Sequence, residues 1–131
     1  MVVLTHQVKV GDFSCTVIGD SDQRYPIDAV INMFPNIPAD QVELEARRYE
    51  VEPGLIGFAI NILLIESGEH HILVDTSVGG ADSPLLDSLH SLGVRPERID
   101  RVIITHGHSD HIGGIIGASG EPNFPNARYS V

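Results

Sequence analysis

The chain has 131 residues, 42% of them hydrophobic, and a formal net charge of −10 at pH 7. That length and composition fit one globular domain, and the acidity argues against nucleic-acid and anionic-membrane partners, which need clustered Lys and Arg. The single cysteine, Cys15, excludes an internal disulfide. No signal peptide is visible and the longest apolar stretch, 55–65, is too short to span a bilayer, so a cytoplasmic protein is expected.

The N-terminal third predicts a hairpin followed by irregular structure. Residues 4–10 and 13–19 nearly alternate between apolar and polar, and Gly11-Asp12 between them is typical of a hairpin turn. Residues 20–37 are rich in Asp, Asn and Pro and predict a loop. The apolar spacing within 38–48 predicts a short helix.

The middle of the chain predicts two strands and a capped helix. Residues 55–66 and 70–76 are apolar and are joined by Ser67-Gly68-Glu69, which indicates a hairpin connection. Ser83-Pro84 predicts the start of a helix, with the serine as its cap, and Gly93 predicts its end.

The C-terminal part predicts strands alternating with a helix. The β-branched run 101–105 predicts a buried strand, 110–118 a short helix and 126–131 a last strand. Strands followed by strand–helix alternation predict an α/β fold with α+β layers.

The segment 105–114 concentrates metal-ligand residues at the end of a predicted strand. His106, His108, Asp110 and His111 fall within six positions, and imidazole and carboxylate are common ligands of Zn²⁺. In an extended segment His106 and His108 face the same side and suit one ion. Asp110 and His111 follow a turn and suit a second ion, which predicts a two-metal hydrolytic centre.

Blander interpretations of the same residues stay open. The histidines could cap a strand end or belong to a His-rich surface loop, and Asp110 is suited to be a helix N-cap. Asp75 could be an ordinary turn residue that hydrogen-bonds its own loop. His70 and His71, at a predicted hairpin tip, are expected to be exposed.

The His-x-His-x-Asp-His pattern after an apolar strand resembles the metal signature of the metallo-β-lactamase fold hydrolases. A strand that ends in an Asp and a Gly-containing loop, 71–80, and the ending 124–131 are also similar to that family. The N-terminal part is most similar to the methyl parathion hydrolase and N-acyl-homoserine lactonase branch. This resemblance rests on Gly11-Asp12-Phe13, Asp20, Pro26-Ile27-Asp28, Asn32 and 57–65.

The resemblance implies a fold and a site. The fold is the N-terminal half of an αββα sandwich, with 1–131 as the N-terminal part of a single metallo-β-lactamase-like domain. His106 and His108 would bind the first metal, Asp110 and His111 the second, and Asp75 would orient a ligand histidine. Asp110 would also orient the water or protonate the leaving group. The cofactor would be two Zn²⁺, with Mn²⁺, Fe²⁺ or Co²⁺ as alternatives.

The implied activity is hydrolysis of a small neutral ester, lactone or phosphotriester. Alternatives are a non-catalytic or incomplete metal-binding module, or another hydrolase of the superfamily that acts on thioesters, β-lactams or phosphodiesters. The family takes a third histidine, a bridging carboxylate and a last histidine from sequence after the first motif. We therefore expect a chain truncated after Val131 that is inactive alone and a possible homodimer.

Overall fold

The computed structural model describes residues 4–80 and 83–131, apart from the side chain of residue 22. Its residues form two compact units. The first, unit 1, comprises Met1–Ser21 and Ile60–Val131, and the second, unit 2, is the continuous segment Asp22–Ala59. No helix in the described part of the chain is long and apolar enough to cross a membrane.

In the described residues, seven strands form one mixed sheet. They are β1 (Thr5–Val10), β2 (Phe13–Pro26), β3 (Glu50–Glu52), β4 (Leu55–Ser67), β5 (His70–Val74), β6 (Arg101–Ile103) and β7 (Arg128–Ser130). The sheet order is β1-β2-β4-β5-β6-β7, and β3 pairs with β4. The early strands pair antiparallel, whereas β5, β6 and β7 run parallel. Parallel strands end at the same edge of the sheet, and that edge carries the candidate site.

Within ranges 4–80 and 83–131, four short α-helices connect the strands. They are α1 (Ile27–Asn32), α2 (Ala39–Ala46), α3 (Leu85–Ser91) and α4 (Ser109–Ile112). Leu85 and Leu89 lie four residues apart on one face of α3 and are buried, so this helix crosses between β5 and β6 with its apolar side in the core of unit 1. Gly93, with φ of +77°, ends the turn that follows the helix.

Each unit has its own apolar core. The core of unit 1 consists of aliphatic side chains and one phenylalanine: Ile18, Ile62, Leu64, Leu73, Leu85, Leu89, Val94, Ile99, Val102, Ile104 and Phe124. In unit 2, Val30, Val42, Ala46 and Ile56 form a smaller core. Unit 2 also holds an apolar cavity of about 490 Å³, bordered by Val30, Phe34 and Phe58 among others.

The hairpin at β1 and β2, the helix within 38–48 and the strands at 55–66 and 70–76 are confirmed, within a few residues at their ends. The loop predicted for 20–37 is confirmed only for 33–37, because β2 continues to Pro26 and α1 follows it directly. Asp20 does not break the strand, since its carboxylate accepts hydrogen bonds from serine hydroxyls inside unit 1. Pro26 precedes the first helical turn, where a missing amide donor costs nothing.

Two further predictions near the site are corrected. The helix predicted for 110–118 ends at Ile112, because the two glycines that follow are in close contact with another loop. The serine predicted as the cap of α3 lies one residue before the N-cap, which is Pro84; its hydroxyl oxygen accepts a long hydrogen bond of 3.4 Å from the Leu85 amide and donates its proton to Asp20. Cys15 is buried on β2.

Candidate metal centre

The candidate site lies where the neighbouring parallel strands β5 and β6 end. Asp75 follows β5, and its backbone amide donates to the carbonyl of Ile103, the last residue of β6, at 2.8 Å. Thr105 lies just after β6, and its backbone amide donates to Asp75 Oδ1 at 2.8 Å. The histidine-rich segment therefore begins on a backbone that two strands hold in place.

Asp75 is the centre of a hydrogen-bond network and is only 5% exposed. Its Oδ2 accepts from the Thr105 hydroxyl at 2.9 Å and pairs with His111 Nδ1 at 2.7 Å. Burial alone would raise the pKa of Asp75. Hydrogen bonds from Thr105 and His111 outweigh burial and hold that pKa below its ordinary value of 3.8. Its φ of +65° is rare outside glycine and is held here by these contacts.

The same network determines which nitrogen of His106 is left for a metal. His106 Nδ1 lies 3.1 Å from the Thr105 hydroxyl oxygen, and that hydroxyl gives its one proton to Asp75. His106 Nδ1 therefore carries the hydrogen, and Nε2 keeps its lone pair. This Nε2 lies 3.0 Å from His108 Nδ1, so the two rings turn nitrogens toward one point.

His111 and Asp110 form the second pair, and both lie on α4. With Nδ1 of His111 donating to Asp75, its Nε2 faces Asp110 Oδ2 at 3.4 Å. The His106 and His111 rings have centroids 3.9 Å apart, so the two pairs are neighbours. The N-cap of α4 is His108, with no side-chain cap hydrogen bond, which removes the interpretation of Asp110 as the helix cap.

The position of α4 is set by the loop that follows β5. The backbone amide and hydroxyl of Thr76 both donate to the carbonyl of His111, at 2.8 and 2.9 Å. A Cβ on Gly113 would lie 2.0 Å from the carbonyl oxygen of Val78, and one on Gly114 would lie 2.0 Å from that of Thr76. Only glycine permits this backbone approach.

The donor set fits divalent cations. Tetrahedral Zn²⁺ with Zn–N bonds of about 2.0–2.1 Å places its ligands about 3.4 Å apart, which is close to the separations of 3.0 Å and 3.4 Å within the two pairs. In the described ranges, no three His, Cys, Asp or Glu side chains are arranged to hold a single ion. The four side chains lie instead as two pairs, His106 with His108 and His111 with Asp110.

The structure brings together all five residues singled out from the sequence, and adds Thr76 and Thr105 to the hydrogen-bond network around them. Sequence reasoning gave no role to Ser77, and it used Asp20 only as a point of resemblance. Nothing local marks either residue, because they meet only after β2 and β5 have joined the sheet. The exposed position expected for His70 is confirmed, and His71 is partly buried.

Comparison with known proteins gives consistent matches. The family model described as the metallo-beta-lactamase superfamily matches residues 55–131. Over 55 residues the chain is 44% identical to metallo-beta-lactamase domain-containing protein 1 of Xenopus laevis, a stretch that is 42% of this chain and 23% of that protein.

Two solved structures resemble nearly the whole chain. One is AidC, described as a dizinc quorum-quenching lactonase in complex with a product. It has a TM-score of 0.83 and 27% identity over 97% of this chain and 44% of its own. The other is the hydrolase AbOPH of the beta lactamase superfamily, with a TM-score of 0.78 and 31% identity over 98% of this chain and 44% of its own. The chain thus spans less than half the length of both structures.

Proposed function

Because the chain belongs to the metallo-beta-lactamase superfamily, we propose that it forms the metal-binding part of a two-metal hydrolase of small neutral lactones or esters. Its mixed sheet matches the N-terminal half of the superfamily fold. The observation that carries the proposal is the pair of donor sets at the ends of β5 and β6. His106 faces His108 at 3.0 Å, and His111 faces Asp110 at 3.4 Å.

Two bound divalent cations would supply an acidified shared water and polarise an electrophilic carbonyl or phosphoryl group. The chain's own residues would do the rest. His106 Nε2 and His108 Nδ1 would hold one cation, and Asp110 and His111 Nε2 the other. Asp75 would keep His111 in the tautomer that leaves Nε2 free of hydrogen. Asp110, whose side chain is 42% exposed, would carry a proton at its carboxylate toward the leaving group.

The substrate class rests on similarity and charge. AidC is a lactonase, and its fold matches this chain at a TM-score of 0.83. The formal charge of −10 favours a neutral substrate over a polyanion. The competing substrate classes are phosphotriesters, thioesters, β-lactams and phosphodiesters. Each of them is included in the activity assays.

The test begins with metal. The apo chain is titrated with Zn²⁺, and metal content after dialysis is measured by mass spectrometry. We expect binding by the native chain and by His90→Ala, which removes an exposed histidine from α3, and loss of metal in His106→Ala and His108→Ala. A His106→Ala protein that retains the full metal content would disprove the ligand assignment.

Turnover is then measured with Zn²⁺ and with Mn²⁺ on lactones, esters and the competing classes. Chelator-treated protein and His106→Ala serve as blanks. Metal-dependent lactone hydrolysis above both blanks supports the proposal, and a faster phosphotriester or thioester reaction would replace the substrate class. Metal binding without turnover on any class is also the result expected of this chain alone, so it leaves the second candidate, a non-catalytic metal-binding module, equally supported. That candidate is motivated by the lack of three converging ligands among the described residues.

A further inference from the structure

A buried carboxylate on β2 lies outside the donor set of the candidate metal centre. Asp20 is 2% exposed, and Ser77 and Ser83 both donate their hydroxyls to it. A carboxylate removed from water is costly unless its oxygens accept hydrogen bonds, so these two serines account for its presence. The contact joins β2 to the loop after β5 across 57 residues of sequence.

The hydrogen bond between Ser77 and Asp20 can have only one direction, with the Ser77 hydroxyl as the donor. The backbone amide of Val78 donates to Ser77 Oγ, so the single hydroxyl proton is directed at Asp20. Ser77 has a φ of +66°, a left-handed conformation that is unfavourable for any residue with a side chain. The Asp20 carboxylate therefore holds a backbone turn that Ser77 would otherwise leave.

That turn is in contact with the second pair of metal-binding residues. Thr76, the residue before Ser77, donates two hydrogen bonds to the carbonyl of His111. The carbonyl group of Val78, the residue after Ser77, is in close contact with Gly113, which directly follows α4. A change in the conformation of Ser77 would thus move these two contacts of α4, and with them Asp110 and His111.

We propose that Asp20 is a positioning residue of the metal centre, which holds α4 in place through the hydroxyl of Ser77. The inference rests on the proposed function, because it assigns Asp110 and His111 to a metal. Asp20 itself contacts neither of these residues, and its effect is carried by the loop 76–79.

The test compares three variants with a charge-matched control. Asp20→Asn weakens the acceptor for Ser77, and Ser77→Ala removes the hydroxyl but keeps a Cβ at φ of +66°. Ser77→Gly also removes the hydroxyl, yet glycine adopts that φ freely. Asp12→Asn makes the same charge change at the exposed turn between β1 and β2.

The readouts on the 131-residue chain are Zn²⁺ affinity, by competition with a chromophoric chelator, and the visible spectrum of bound Co²⁺. We expect Asp20→Asn and Ser77→Ala to lose about 10–100-fold in Zn²⁺ affinity, the usual range for a group that supports a ligand, and to alter the Co²⁺ spectrum. Ser77→Gly should stay within about threefold of the native chain, and Asp12→Asn should match it.

Equal affinities for Asp20→Asn and Asp12→Asn would overturn the inference. If Asp20→Asn fails to fold, Ser77→Ala decides, and native Zn²⁺ affinity in that variant overturns the inference. Amide hydrogen exchange separates this inference from the proposed function. A native chain that binds no Zn²⁺ would disprove the proposed function. Unchanged exchange at 76–79 and 109–114 in Asp20→Asn would separately disprove the inference.

Discussion

The carboxylate of Asp75 contacts both Thr105 and His111. It accepts from the backbone and side chain of Thr105 and pairs with His111, in a conformation with φ of +65° that few side chains adopt. The sequence indicated a role for this residue only through the resemblance of its strand to a family, since an Asp after a strand is more often a turn residue. The three contacts that define its role come from 30 to 36 residues away and are invisible to local patterns.

Replacing Asp75 by Asn should weaken metal binding without abolishing it. An amide can still accept from Thr105, but it no longer carries the charge that holds the hydrogen on His111 Nδ1. We expect Zn²⁺ affinity to fall by about 10–100-fold, whereas His111→Ala should lose the second ion altogether. Isothermal titration of both variants beside His90→Ala measures this, and native affinity in Asp75→Asn would contradict it.

The four ligand candidates were predictable from sequence because they lie within six positions of one another. Their spacing alone suggested two pairs, and the structure places His108 opposite His106 and His111 opposite Asp110. What spacing could not give is the choice of nitrogen in each ring, which depends on Thr105 and Asp75. The contact between Asp20 and Ser77 could not be predicted from spacing either, because it depends on the order of the strands in the sheet.

At the scale of elements, the junction between α4 and the loop after β5 is unusually close. Gly114→Ala would place a methyl group 2.0 Å from the carbonyl oxygen of Thr76, and overpacking of this kind costs about 1–3 kcal/mol. We expect the free energy of unfolding, from urea denaturation, to fall by that amount.

Gly107→Ala is the matched control for stability, because a Cβ at Gly107 meets nothing within 4 Å and its φ is not positive. It should unfold within about 0.5 kcal/mol of the native chain, as expected for a substitution in open space. Equal losses in the two alanine variants would show that the close approach at Gly114 is not what limits substitution there.

A second junction ties the beginnings of β5 and β6. Asp100 Oδ2 accepts from the backbone amide of His71 at 3.0 Å and lies 3.2 Å from His70 Nδ1. Partial burial would raise the pKa of Asp100, but the hydrogen bonds from His71 and His70 outweigh it and hold the pKa below 3.8.

This depressed pKa gives a pH dependence with a definite sign. The contribution of Asp100 to stability is complete above 3.8 and is lost as the pH falls through the lower pKa of the folded state. Asp100→Asn should therefore unfold more easily at pH 7, by less than about 1 kcal/mol because the group is partly exposed, and the difference should vanish in strong acid. Urea denaturation at pH 7 and pH 2.5 measures it, with Asp12→Asn as control. A constant difference at both values would contradict the assignment.

For the whole molecule, we predict that the isolated chain self-associates. Apolar side chains stay exposed along the first hairpin, where Val8 is 46%, Val10 58% and Phe13 45% exposed, and β1 is an edge strand of the sheet. Exposed apolar edges associate in water. Gel filtration with light scattering should show a dimer or larger species, and Val10→Lys should shift it toward monomer. A sharp monomer peak with cooperative unfolding in the native chain would refute this.

The order of strands and helices was largely predictable from the sequence, but the division of the chain into two units was not. Hairpins, helices and the motif strand followed from alternation, glycine turns and apolar runs, all of which act over a few residues. The extension of β2 through Asp20 did not, because Ser77 and Ser83, which donate to Asp20, come 57 and 63 residues later. The separate core around Val30, Val42 and Ile56 did not either, because its members lie on three different elements, α1, α2 and β4.

The division of unit 1 into two stretches of sequence bears on how the chain would emerge during synthesis. Its first strands, β1 and β2, leave the ribosome before β4, the neighbour of β2 in the sheet, has been translated. A lone two-stranded hairpin is marginally stable in water, and closing the intervening segment of about 40 residues costs chain entropy. The N-terminal hairpin should thus remain a transient structure in the nascent chain, and the sheet should become permanent only when β4 arrives.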